Sequence, residues 1–103
     1  MEDLAAKFLP MFIDVARARV RVATSAATSR DHAAAPTTER ELHALAGEAG
    51  LLGLRDVIPL ARNCELKAKA LRTSHADEDA DALLAALREL ERVIDGIAAA
   101  APT

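Results

Sequence analysis

The chain has 103 residues, a formal net charge of −3, 51 % hydrophobic residues and 2 % aromatics. That length suits one domain with one core. The acidic balance argues against a duplex-DNA binder, which shows a basic excess, and the scarcity of aromatic strands, with four glycines and four prolines, argues against a turn-rich all-β fold. The apolar content is mainly alanine and leucine, both strong helix formers, so composition favours an all-α domain. Cys64 is the single cysteine, which excludes an internal disulfide and a cysteine-based zinc site. No apolar run reaches the length of a bilayer span, and the acidic start MEDLAAKFL is unlike a signal peptide. A soluble, cytoplasmic protein is expected.

From Asp3 to about Ser29, Leu4, Phe8, Phe12, Val15 and Val22 recur at helical spacing, and Leu9, Ile13 and Val20 widen the stripe. Pro10 is expected to break or kink this segment near Leu9. Residues 24–37 lack apolar periodicity and read as a fraying helix end and a loop. A second helix is expected from Thr38, where Thr38 and Glu41 match a capping box, with a core stripe of Leu42, Leu45, Ala49 and Leu52. Gly53 terminates it.

The third helix is expected from about Leu54 to Leu71, burying Leu54, Val57, Leu60, Ala61, Cys64, Ala68 and Leu71. Pro59 falls in its first turns. Ser74 and Asp77 suggest another capping box, followed by an acidic run that suits a helix N-terminus. The fourth helix carries Ala80, Leu83, Leu87, Leu90, Ile94 and Ile97 at spacings of three and four, a seam that either closes the core or supports a homodimer. The elements assemble as an antiparallel up-down-up-down four-helix bundle, with a short extra N-terminal helix if Pro10 interrupts the first. His32 and His75 fall in loops exposed to solvent, and Arg17, Arg19 and Arg21 form a solvated fringe.

The stretch HALAGEAGLLG, residues 43–53, spaces three of the four glycines three apart. Each interior glycine costs a helix about 1 kcal/mol relative to alanine. His43 lies about 100° from Leu42 around the second helix, at the edge of the buried face or on solvent. Ala46, Gly47 and Gly50 follow it on the same side. Two explanations stand: small residues let neighbouring helices of the bundle pack closely, or they leave the imidazole open to another macromolecule.

HALAGEAGLLGL resembles the signature of histidine phosphotransfer (HPt) domains, with His43, Leu45, Gly47, Leu52 and Gly53 on the pattern. The following segment, LRDVIPLARNCELKAKAL, is similar to the family's next helix, with Glu65 and Lys69 at its polar positions. The resemblance is specific over residues 38–72 and elsewhere is one of helix number and order. It implies that His43 is a phosphoacceptor, relaying a phosphoryl group between response-regulator receiver domains or from a hybrid histidine kinase. Where the family carries a lysine, this chain has Ala46, so Lys69 or Arg40 is expected to supply the neutralising charge. Arg62, Glu65 and Lys69 share a helix face, and if that face borders His43, Glu65 accepts a hydrogen bond from one ring nitrogen.

The resemblance also implies a docking surface of Ala46, Gly47, Gly50, Leu51 and Leu54. The chain is expected to bind no cofactor itself, with Mg²⁺ supplied by the receiver. No nucleotide-binding motif is present, so the protein is read as a phosphorelay intermediate and not a kinase. Neither nucleic acid nor membrane is an expected partner, and a monomer is favoured over a homodimer. Two alternatives remain. One is a bundle that docks a kinase or receiver without carrying phosphate. The other is a helix-turn-helix DNA binder, which Asp56, at a position that wants an apolar residue, and the net charge disfavour.

Overall fold

A computed structural model describes residues 2–100 of the chain, with side chains from Ala6 onward. Four helices follow in order: α1 (Glu2–Thr28), α2 (Ala35–Leu51), α3 (Val57–Ser74) and α4 (Asp77–Ala100), with a 3₁₀ turn at His32–Ala34 leading into α2. No strand occurs among the described residues. Each helix packs on the next, and α4 closes back on α1. The molecule measures 43 × 20 × 18 Å, so the long axis is about the length of α1.

The expected break at Pro10 is absent, and α1 runs through it as one helix. A proline inside a helix removes the bond to the carbonyl four residues earlier. Here that carbonyl belongs to Ala6, and Ala6 and Pro10 are both exposed, so water can take the place of the missing donor. The buried stripe of α1 also differs from the expected one. Phe12, Ile13, Ala16, Val20, Ala23 and Ala27 form it, while Phe8 and Val22 are 41 % and 45 % exposed. Alanines fill the buried face and let the other helices approach closely. The side chain of Leu4 lies outside the described residues.

Residues 24–28, expected as loop, complete α1. The helix ends in a Schellman motif: the amide of Asp31 donates to the Ala26 carbonyl at 3.0 Å and that of Arg30 to Ala27 at 3.3 Å. Arg30 takes the left-handed position, φ 56°, which disfavours a non-glycine residue by about 1 kcal/mol. Its guanidinium donates to Asp77 and Asp81 at 3.1 Å each, tying the end of α1 to the start of α4.

Helix α2 starts at Ala35, with Pro36 in its first turn, and the Thr38 capping box does not form. Thr38 is buried inside the helix, and Glu41 instead pairs with Arg19. Arg19 also binds Glu48 at 2.9 Å, and Arg17 binds Asp95 at 2.9 Å. Two of the three arginines expected as a fringe therefore brace α1 against its neighbours. At the other end of α2, Gly53 adopts φ 68°. Its amide donates to Gly50, and the amide of Leu54 donates to Ala49 at 2.9 Å, a second Schellman motif. That turn holds Leu54 out of helix, and α3 begins only at Val57.

Between α3 and α4, His75 takes a left-handed conformation, φ 55°. The Ser74 hydroxyl accepts from the Ala76 amide at 3.0 Å and bonds Asp79, not the expected Asp77. The rings of His32 and His75 stack in parallel, 4.1 Å apart, so these two are packed on each other instead of standing separately in solvent. On α4, Ala80, Leu83, Leu87, Leu90 and Ile94 are buried, so the seam closes the core of this chain.

Cys64 is fully buried in that core, and burial pushes its thiol up to about 12. A thiol needs ionisation and access to react. Aromatic disulfide reagents at pH 8 are therefore expected to leave Cys64 untouched in the native protein and to label it fully in urea. Because the folded thiol ionises later than the unfolded one, its contribution to stability is intact at neutral pH and is lost as pH rises toward 12.

Candidate functional site

Helix α2 buries Thr38, Leu42, Leu45, Ala46 and Ala49. His43, one residue past Leu42, therefore turns off the core, and its side chain is 76 % exposed. The ring leans toward α3, where Nδ1 stands 3.1 Å from Oε2 of Glu65. A carboxylate can only accept, so Nδ1 carries the proton of this bond. In the neutral ring the lone pair then lies on Nε2. The Glu65 side chain is only 15 % exposed, and Lys69, one turn on, sets its ammonium 3.9 Å from the same Oε2. The three residues form one chain of charge: ring, carboxylate, ammonium.

The surface of α2 beyond His43 is bare. Gly47 and Gly50 are exposed, and a Cβ added to either would meet nothing within 4 Å. Close packing by the chain's own helices therefore does not account for them. Leu51, 88 % exposed, continues this strip.

Other expected members stand elsewhere. Ala46 is 3 % exposed and belongs to the core, because it lies about 60° from His43 toward Leu42. Leu54 is partly buried and packs on the core, drawn in by the Schellman turn, where an apolar contact commonly accompanies the hydrogen bonds. The Arg40 guanidinium donates to Thr37 at 3.2 Å, and no hydrogen bond or ion pair joins it to His43 among the described residues. Arg62 is exposed on the same helix as Glu65.

One residue escaped the sequence reading. Leu66, next to Glu65, is 63 % exposed. Its signal was its register, since a leucine off the Val57, Ala61, Cys64, Ala68 and Leu71 stripe has no place in the core. Leu51 and Leu66 give α2 and α3 one exposed leucine each. Farther along the same helices, Arg72 pairs with Glu39 at 2.9 Å and helps fix their register.

The site is thus an exposed imidazole on a helical bundle, held by a carboxylate on the neighbouring helix. The chain belongs to the Hpt domain family, whose model matches residues 7–99. Members carry phosphoryl groups in phosphorelays, interact with kinases and receiver domains, and have no ATP site of their own. The protein accordingly has a phosphotransfer-related role in two-component signalling. Among curated proteins and solved structures, none matches significantly. No helix among the described residues is long and apolar enough to cross a membrane.

Proposed function

We propose that His43 accepts a phosphoryl group from the aspartyl phosphate of a receiver domain and passes it to a second receiver. The observation that carries this reading is the Nδ1–Glu65 hydrogen bond on a ring that is otherwise open to solvent. With the proton held on Nδ1, the Nε2 lone pair attacks phosphorus, and the bond from phosphorus to the aspartyl oxygen breaks. The aspartate leaves as a carboxylate. The positive charge that develops on the imidazole faces the Glu65 carboxylate, which stabilises it. The reverse sequence returns the group to an aspartate.

Phosphoryl transfer depends mostly on in-line positioning and on neutralising the equatorial oxygens. Lys69 is the cation of this chain placed to contribute, and the buried Ala46 supplies nothing. The remaining charge, including Mg²⁺, comes from the receiver. The Gly47–Gly50 strip admits the receiver's active site, and Leu51 and Leu66 give it apolar footing.

The test is to incubate the chain with a phosphorylated receiver and follow the label. Acid-labile, base-stable label on the chain is expected. Stable binding with no transferred label would overturn the relay and leave a bundle that only docks its partner. Glu65→Ala is expected to slow single-turnover transfer by roughly tenfold to a hundredfold, the effect of removing a partner that orients a histidine, with the label still on His43. An unchanged rate would remove Glu65 from the mechanism.

A further inference from the structure

Helix α1 carries a second apolar seam that its own bundle does not cover. Phe8, Met11, Val15, Ala18 and Val22 follow at spacings of three and four, the repeat of a coiled-coil contact line. Met11 is 62 % exposed, Phe8 41 % and Val22 45 %. Ala18 is exposed, and Val15 is half-buried. A continuous apolar strip of this kind on a small protein marks an interaction surface.

We propose that this seam pairs with the same seam of a second copy, antiparallel, giving a homodimer in place of the monomer that the sequence suggested. Size is the first reason. The bulk sits at one end, in Phe8 and Met11, while the other end is hollow, a shallow groove lined by Ala18, Val22, Ser25, Ala26 and Ser29. Antiparallel pairing sets Val15 against Ala18 of the second copy, Met11 against its Val22 and Phe8 against its Ser25, so each bulky end enters a groove. Parallel pairing would set phenylalanine on phenylalanine and groove on groove.

Charge is the second reason. Asp14 and Arg21 flank the seam on one side, both exposed, and neither has a hydrogen bond or ion pair among the described residues. In the antiparallel register Asp14 of each copy faces Arg21 of the other, twice by symmetry, and such flanking pairs set orientation in helix pairs. The parallel register would instead direct Asp14 to Arg19, which Glu41 and Glu48 already hold. The seam also leaves the chemistry free. His43 and Glu65 lie between α2 and α3, and α1 packs on α2 and α4, so both imidazoles of a dimer remain open.

Sedimentation equilibrium of the intact chain from micromolar to millimolar concentration tests this. A reversible dimer is expected. Met11→Glu and Val22→Glu should abolish it with circular dichroism unchanged, and with melting temperature unchanged at concentrations where the wild-type chain is monomeric. Asp14→Arg should weaken it by roughly tenfold, since two pairs change sign at once. Mixing the Asp14→Arg chain with an Arg21→Asp chain should restore association as a heterodimer. A wild-type chain that stays monomeric overturns the proposal and leaves the seam to a different protein. A dimer indifferent to Met11→Glu and Val22→Glu also overturns it, as does a charge-swapped mixture that fails to recover.

Discussion

His43→Gln is expected to remove all phosphoryl acceptance while leaving the bundle intact. Glutamine has no nucleophilic nitrogen, and phosphorylation needs the Nε2 lone pair that the Glu65 bond leaves free. The side chain is 76 % exposed, so the change in stability should stay within about 0.5 kcal/mol. The measurement is transfer of radiolabel from a phosphorylated receiver, read beside a thermal melt. The other two histidines supply the control, because His32 and His75 lie in the α1–α2 and α3–α4 connections and are stacked on each other. Label that persists in His43→Gln and vanishes on replacing either of those would move the acceptor site away from α2.

The glycine strip separates stability from function. Gly47→Ala or Gly50→Ala should stabilise the protein by about 0.5–1 kcal/mol each, because the new Cβ meets nothing within 4 Å and the unfolded chain loses freedom. For a domain of this size that raises the melting temperature by roughly 4 °C or somewhat less. Gly50→Leu should also fold well, since the position faces solvent. Under the proposed relay, however, it places bulk where a receiver brings phosphorus within bonding distance of Nε2. A misplacement of about 1 Å can slow a reaction roughly a hundredfold, and a loss of that order is expected in single-turnover transfer. Gly50→Leu at the wild-type rate would show that the strip has no part in the approach. A loss of stability in the alanine variants would contradict the open space seen around both residues.

The fold was legible where large apolar residues mark the buried face. The seam of α4 except Ile97, the stripe of α2 except Leu52, and the stripe of α3 except Leu54 and Leu60 are buried as their spacing predicts, those four being partly buried. It was least legible on α1, where two apolar lines compete. The one rich in alanine is buried, and the one that carries Phe8, Met11 and Val22 is exposed. Phe12, Ile13 and Val20 are buried as expected, but side-chain size also drew Phe8 and Val22 into the stripe and passed over the alanines, because a face built for close approach uses small residues. Helix starts were also missed, since Thr38 with Glu41 fits a capping pattern but Pro36 begins the helix earlier and Arg19 claims Glu41.

The His43–Glu65 pair was readable only through the resemblance to HPt domains, which places an acceptor 22 residues after the histidine, and the neighbouring helices α2 and α3 bring the two within 3.1 Å. Leu66 was hidden by sitting next to a charged residue on a helix whose core stripe is mostly small. Ala46 was misplaced by treating everything beside His43 as one face, when about 60° of rotation separates a solvent strip from the core.

The order in which the helices pack has a consequence for how the protein holds together. Among the described residues the main contacts run between consecutive helices, with one further join, α1 with α4. The tube is a rolled strip whose closure joins the helices farthest apart in sequence, the contact that costs the most chain entropy. His43 and Glu65 ride on the central hairpin, away from that closure. Imidazole and carboxylate therefore belong to one hairpin assembled from nearby sequence, and the outer two helices form a clasp around it.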